Sequence, residues 1–95
     1  MKTFNTRRVV VSFENDLGEK CECDVMCGFG SVSVTYNNTN DNIVVTHEKG
    51  DDVWTKFIDI HEFWKAHYST YMGLEQAGSV YVVNGDSISL TIRKN

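Results

Sequence analysis

Alternating hydrophobic and polar positions predict four short β-strands in the first half of the chain. Residues 7–13 place Val9, Val11 and Phe13 on one side of the backbone, as a strand with one buried face does. The same alternation occurs in three later segments, residues 21–27, 32–36 and 43–47. Turn-forming Asn, Asp and Gly residues separate these segments, including Gly28-Phe29-Gly30 between the second and third. We therefore expect a four-stranded meander.

Residues 51–72 are the only long stretch of the sequence with helical periodicity. Successive steps of 100° gather an apolar face, with His61 in its midst. This face contains Val53, Trp54, Phe57, Ile58, Ile60, Trp64, Tyr68, Tyr71 and Met72. Asp51 or Asp52 supplies an N-cap, and Gly73 stands where a left-handed residue closes a helix. The pattern predicts one long amphipathic helix.

The last part of the chain has the strongest hairpin signal, because two apolar runs flank Asn84-Gly85. The predicted order is therefore ββββαββ. Hairpins join neighbouring antiparallel strands, so we expect a mostly antiparallel sheet with the long helix packed on one face. The fold class is α+β, and residues 1–95 form one compact domain.

Composition indicates a cytoplasmic protein. Hydrophobic residues make up 41% of the chain and charged residues 23%, and no apolar run approaches the ~20 residues of a membrane span. The N-terminal residues lack the apolar stretch and cleavage site of a signal peptide. Three cysteines cannot all pair within one chain, so we expect free thiols.

Charge is unevenly distributed along the sequence. The formal net charge is −4, but five of the nine basic residues lie near the two ends. Residues 9–92 contain four lysines and thirteen acidic residues, a formal charge of −9. An acidic body repels nucleic-acid phosphates and favours a partner with a basic surface.

Candidate metal ligands are present, but their spacing is unfavourable. Cys21, Cys23 and Cys27 occupy positions along one strand face, with neighbouring sulfurs about 6–7 Å apart, whereas zinc sites take paired ligands from a tight turn. His61 and His67 are rotated about 240° from each other on a helix. We expect these cysteines and His61 to be core residues, and we predict no metal, cofactor or catalytic residue.

Instead of a catalytic or metal site, the sequence predicts a surface that contacts a partner. Phe63 lies opposite Trp54 on the polar side of the predicted helix, where either a partner or another segment of the chain has to cover it. Carboxylates in rows can imitate phosphate spacing. The predicted partner-binding residues are Glu22, Asp24, Asp51, Asp52, Asp59, Glu62 and Phe63.

A short acidic α+β chain that is rich in Asn and free of Pro resembles the class of small phage-encoded inhibitors, including anti-CRISPR and anti-restriction proteins. The resemblance lies in general character and not in a shared motif. It implies an inhibitor or regulator of an enzyme that handles nucleic acids.

Three hypotheses follow, and the first is a non-enzymatic protein-binding module whose partner has a basic surface, self-association included. The alternative is a small nucleic-acid-binding domain that uses basic residues gathered by neighbouring first and last strands. These residues are Lys2, Arg7, Arg8, Arg93 and Lys94. The third is an enzyme whose site residues are distant in sequence.

Overall fold

The computed structural model describes residues 7–95, which form eight β-strands and one α-helix. In chain order these are β1 (Arg8–Glu14), β2 (Lys20–Cys27), β3 (Ser31–Asn37), β4 (Asn42–Lys49), β5 (Asp52–Asp59), α1 (Ile60–His67), β6 (Tyr68–Tyr71), β7 (Leu74–Val83) and β8 (Asp86–Lys94). A mostly antiparallel α+β-like arrangement is therefore confirmed. The predicted order ββββαββ and the long helix are wrong. Within residues 7–95, the helix is too short and too polar to cross a membrane.

The strands form two antiparallel sheets. The larger sheet has five strands in the order β1-β2-β8-β7-β6, and the smaller has three in the order β3-β4-β5. Two aromatic contacts show that the sheets face each other. The rings of Phe13 and Tyr36 stack with centroids 4.3 Å apart, and those of Trp54 and Tyr81 lie 6.0 Å apart. These contacts place β3 over β1 and β5 over β7.

The core lies between the two sheets. Its buried residues are Cys23, Val25, Ala77, Val83, Ile88, Leu90 and Ile92 from the larger sheet, Val32, Ile43, Val45 and Ile58 from the smaller, and Ile60 and Phe63 from the helix. The inward positions of Cys21, Cys23 and Val25 are confirmed, and the three cysteines are free thiols. Burial of a large apolar side chain contributes roughly 1.5–3 kcal/mol, so this interface supplies most of the driving force for folding.

The first part of residues 51–72 is a strand because a turn precedes it. Gly50 has φ of +59°, as the first central residue of a type II′ hairpin turn requires, and it directs Asp52 back along β4. Residues 52–59 are rich in β-branched and aromatic side chains, which pack well on a pleated surface. A second hairpin follows the helix, where Met72 and Gly73 have φ of 52° and 79°.

The N-cap of the helix lies seven or eight residues later than predicted. Asp59 is the N-cap, and its Oδ1 accepts a hydrogen bond from the Glu62 backbone N–H at 3.0 Å. Asp51 and Asp52 lie instead at the exposed β4–β5 turn. Gly73 belongs to the β6–β7 turn and does not close the helix. The hairpin predicted at Asn84-Gly85 is confirmed, since it connects β7 and β8.

The helix faces the core with only part of the side predicted, since Ile60 is buried as expected but its inner neighbour is Phe63. Phe63 is only 5% exposed, while Trp64 is half-buried. Of the two alternatives for covering Phe63, the chain itself therefore covers it, and not a partner. The shorter helix starts at Ile60, so Ile60 and Phe63 at i and i+3 form its inner face. The chain's own core covers the phenylalanine, and it is not available to a partner in this structure.

We predict that Phe63→Ala lowers the free energy of unfolding by roughly 3–5 kcal/mol, because truncation leaves a cavity in the core. Phe57→Ala is the matched control, since Phe57 is 68% exposed on the smaller sheet and should cost less than about 1 kcal/mol. Urea denaturation of the two variants measures both values. Equal stability of the two would contradict the observed docking of the helix.

Candidate functional site

Three turns meet at one end of the sandwich, which we call the turn end: residues 28–30 between β2 and β3, residues 50–51 between β4 and β5, and residues 84–85 between β7 and β8. Side chains join these turns. The carboxylate of Asp86 accepts hydrogen bonds from the backbone N–H groups of Gly28 at 3.0 Å and Phe29 at 2.9 Å. Lys49 Nζ donates to the backbone carbonyl of Asn84 at 3.1 Å. The turn end is therefore held as one unit.

A buried histidine–aspartate pair lies beneath the turn end. His47 Nε2 is 2.9 Å from Asp86 Oδ2 and 3.1 Å from the carbonyl oxygen of Phe29. Both neighbours are acceptors, so Nε2 carries a hydrogen and donates it. The side chains of His47 and Asp86 are 0% and 1% exposed. Because His47 lies on β4 and Asp86 on β8, the pair connects the two sheets.

The Asp86 carboxylate is stabilised in its charged form. Burial alone would raise its pKa, but hydrogen bonds from the Phe29 backbone, His47 and the Gly28 backbone outweigh burial and lower the pKa below its ordinary value. The charge of Asp86 thus holds the backbone of residues 28–29 and the ring of His47 in place.

The turn at residues 28–30 requires glycine. Gly30 has φ of +69°, and a Cβ at this position would lie 2.4 Å from the backbone oxygen of Glu48 and 3.1 Å from His47 Nε2. The loop therefore packs tightly against β4, and any side chain at Gly30 would separate them.

Phe29 is exposed at the tip of this rigid turn. Its side chain is 57% exposed, while its N–H donates to Asp86 and its carbonyl accepts from His47. The Lys49 ammonium lies 5.5 Å from the ring centroid. A solvent-facing aromatic ring on a fixed backbone loses little entropy on binding, which is the property of an interface anchor.

The structure divides the predicted acidic residues among three separate places. Asp51 and Asp52 are at the turn end, exposed and without an ion pair to any of residues 7–95. Asp59 lies at the other end of β5, roughly 23 Å away, given about 3.3 Å per residue. There it caps the helix, and Glu62 pairs with Lys65 at 3.4 Å.

Glu22 and Asp24 lie on the outer face of the larger sheet, between arginines of both neighbouring strands. Arg8 on β1 is 2.8 Å from Asp24, and Arg93 on β8 is 3.3 Å from Glu22 and 3.7 Å from Asp24. Their negative charge is therefore locally compensated. Only Asp51 and Asp52 among the predicted residues are exposed beside Phe29.

The cysteines do not come together, but Cys27 lies near His47 and Asp86, with one donor atom of each within 4.8 Å of the others. Burial, followed by the charge of Asp86, raises the pKa of the Cys27 thiol. Burial raises the pKa of Cys23 to about 12. A thiol with a raised pKa is not an activated nucleophile, and Asp86 and His47 Nε2 are already engaged in hydrogen bonds.

His61 is not a core residue as predicted. Its side chain is 51% exposed, and Nε2 lies 3.0 Å from Asp16 Oδ2 and 3.3 Å from Asp41 Oδ2. This cluster is at the opposite end of the sandwich from Phe29, beside a cavity of about 390 Å³ that His61 lines. The hydrogen bond to Asp16 raises the pKa of His61.

Comparisons of the chain with protein-family models, with curated proteins and with solved structures gave no significant match. Function must accordingly be inferred from the geometry of the residues themselves.

We predict that Asp86→Asn destabilises the protein by at least about 2 kcal/mol at neutral pH, because buried donors lose a charged acceptor. Asp52→Asn, at an exposed position, should change stability by less than about 0.5 kcal/mol. Chemical denaturation as a function of pH provides the measurement.

The contribution of Asp86 to the free energy of unfolding changes with pH in a defined direction. Since the pKa of Asp86 is lowered in the folded state, its stabilising effect is present above the unfolded-state pKa of about 3.9 and disappears as pH falls through the lower folded value. The difference between wild type and Asp86→Asn should therefore shrink below about pH 4. A constant difference down to acid unfolding would refute the proposed role of the charge.

Proposed function

We propose that this chain is a non-enzymatic protein-binding module that contacts its partner through the turn end, with Phe29 as the anchor. The observation that supports this most directly is a half-exposed phenylalanine whose backbone N–H and carbonyl are both held by the buried, hydrogen-bonded side chains of Asp86 and His47. Natural interfaces concentrate binding energy in such aromatic side chains, surrounded by polar groups that exclude water.

The charges around Phe29 support a partner with a basic surface. Asp51 and Asp52 are exposed on the neighbouring turn, and Glu48 precedes it on β4. Lys49 is the basic residue next to the ring, and Arg7 adds a second positive charge at the far edge, beside β1. The side of the turn end nearest β5 is thus acidic, in keeping with the −9 charge of residues 9–92.

The partner that we propose is a protein with an apolar pocket for Phe29 and basic residues beside it. Enzymes that handle nucleic acids have basic surfaces of this kind, so an inhibitory or regulatory role toward such an enzyme fits the acidic surface. The acids that support this are Asp51 and Asp52, because Glu22 and Asp24 have arginine partners and Phe63 is buried.

Direct nucleic-acid binding has less support. The alternative required the first and last strands to be neighbours, but β2 lies between β1 and β8. Arg8 and Arg93 both contact acids of β2, and Lys94 Nζ lies 3.2 Å from Glu19. Lys2 is outside the described residues. Within the part of the chain that the structure describes, the basic side chains near the two ends therefore do not form one free patch.

We predict that Phe29→Ala weakens binding to the partner at least about tenfold, equivalent to ~1.4 kcal/mol, while leaving the free energy of unfolding within about 1 kcal/mol of wild type. Phe57→Ala is the control, because it removes the same side chain at similar exposure from a different face. A partner captured by the tagged wild-type chain would be purified and titrated against both variants by calorimetry. Loss of binding in Phe57→Ala, with Phe29→Ala unaffected, would place the interface elsewhere.

We also predict that the double variant Asp51→Lys, Asp52→Lys slows association with the same partner, because it reverses the charge that attracts a basic surface. The slowing should be larger at low salt, where screening is weaker. Stopped-flow association rates at several ionic strengths measure it. A control that reverses Glu62 and Glu75, exposed acids away from the turn end, should have a smaller effect. Equal effects would indicate that only net charge matters.

A further inference from the structure

The end of the sandwich opposite Phe29 brings three metal-ligating side chains together from three separate segments. Asp16 comes from the β1–β2 turn, Asp41 from the β3–β4 turn and His61 from the first turn of α1. One donor atom from each lies within 4.8 Å of the other two. Nothing in the turn-end binding function uses these residues.

Asp41 is held rigidly. Its backbone is in the left-handed region at φ of +48°, a turn conformation that aspartate tolerates better than most residues. Tyr36 donates a hydrogen bond to Asp41 Oδ1 at 2.6 Å, and the Tyr36 ring stacks on Phe13. The Asp41 carbonyl accepts from the Ile60 N–H at 3.4 Å, which links this turn to the start of the helix.

The second carboxylate oxygen of Asp41 lacks a hydrogen bond. The Asp41 side chain is 8% exposed, and Oδ2 is buried with no hydrogen-bond partner among residues 7–95. It points toward His61, whose Nε2 is 3.3 Å away. A buried carboxylate oxygen without a hydrogen bond is costly, so a ligand that coordinates Oδ2 beside His61 would remove that cost.

The donor spacing matches that of a small divalent cation. Tetrahedral Zn²⁺ with bonds of about 2.0–2.1 Å places neighbouring donors about 3.3 Å apart. His61 Nε2 lies 3.0 Å from Asp16 Oδ2 and 3.3 Å from Asp41 Oδ2. His61 Nε2 therefore already lies at ligand spacing from both carboxylates, and all three donor atoms are within 4.8 Å of one another.

We propose that Asp16, Asp41 and His61 form a binding site for a divalent transition-metal cation, with Zn²⁺ as the best match. One imidazole nitrogen with two carboxylates favours Zn²⁺ over Mg²⁺ or Ca²⁺, which prefer all-oxygen ligands. Nε2 binds the cation through its lone pair, so the imidazole hydrogen resides on Nδ1 in the bound state. Three protein ligands leave a fourth position for water or another small ligand.

A cation can reach this site from solvent. The side chains of His61 and Asp16 are 51% and 47% exposed, and Asp41 forms the buried floor. The cavity of about 390 Å³ lies beside His61, between the helix and the exposed end of the larger sheet. In the absence of a cation, a hydrogen on His61 Nε2 pairs with the same carboxylates. The competing interpretation is therefore a simple ion pair.

Titration of the full chain with Zn²⁺ by isothermal calorimetry, at one fixed pH, tests the proposal. We expect one Zn²⁺ per chain, with affinity lowered at least about tenfold in His61→Gln, because a primary ligand is lost. His67→Gln is the matched control, since His67 is an exposed histidine of the same helix outside the cluster, and its affinity should equal that of wild type. Co²⁺ in place of Zn²⁺ should give the visible absorption of a four-coordinate site in wild type and His67→Gln only.

Two further variants test whether Zn²⁺ binds at this cluster or at the group formed by Cys27, His47 and Asp86. Asp16→Asn alters an exposed side chain, so it should fold normally and also bind more weakly. Cys27→Ser should bind as wild type, because the group around His47 and Asp86 is not involved. Absence of saturable Zn²⁺ binding in wild type would mean that the cluster is an ion pair only. Equal affinity in wild type and a folded His61→Gln variant, or loss only in Cys27→Ser, would also overturn the assignment.

Discussion

The contact between His47 and Asp86 is the interaction on which the arrangement of this protein depends most. It joins β4 of the smaller sheet to β8 of the larger one, in a core whose other inward side chains are almost all apolar. Burying a carboxylate is favourable only when hydrogen bonds replace its hydration, and Asp86 receives them from His47 and from the backbone at residues 28–29. A shifted register of either strand would leave this charge unpaired. The pair therefore specifies how the two sheets are aligned, which apolar contacts alone do less strictly.

The hydrogen bonds that the buried Asp86 carboxylate requires also determine where Phe29 lies. Because the Asp86 carboxylate needs backbone donors, the turn at residues 28–30 folds inward, and Gly30 makes close approach to β4 possible. With its backbone held against the core, the Phe29 side chain points to solvent and is 57% exposed. The backbone that carries the exposed ring is thus fixed by hydrogen bonds to the buried side chains of Asp86 and His47. The turn at residues 28–30 thus contains both the buried contacts to Asp86 and the proposed anchor residue.

Much of the sheet was predictable because alternation and turn chemistry are local. The first four strands and the Asn84-Gly85 hairpin follow from period-two patterns between Asn, Asp and Gly residues. Residues 51–72 were mispredicted because aromatic residues at close spacing satisfy a helical wheel and a strand equally well, and the turn at Gly50 carried the deciding information. The later start of the helix then changed which face contacts the core, so that Phe63 is buried.

The sites were much less predictable, because they depend on contacts between distant residues. His47 and Asp86 are 39 positions apart, and Asp16 and His61 are 45 apart. Local signals existed for single residues only, such as an aromatic residue between two glycines at Phe29. Net charge did not indicate which acidic residues are free of a basic neighbour. Antiparallel pairing places Arg8 and Arg93 on either side of the β2 acids, and composition cannot reveal this neutralisation.

Two histidine–aspartate groups, one at each end of the sandwich, show how burial decides what the same side chains can do. At the turn end, His47 and Asp86 are fully enclosed and the carboxylate is saturated with donors, so neither can exchange its partner for a ligand from solvent. At the helix end, His61 and Asp16 are about half exposed, and Asp41 keeps one buried oxygen without a hydrogen bond. The first group is closed to solvent and its carboxylate has a full set of donors, so it serves as a fixed support for Phe29. The second is incomplete and accessible, which is the condition under which a cation adds stability to a folded protein. A strand length of roughly 23 Å separates the two ends, so a ligand at one leaves the other free.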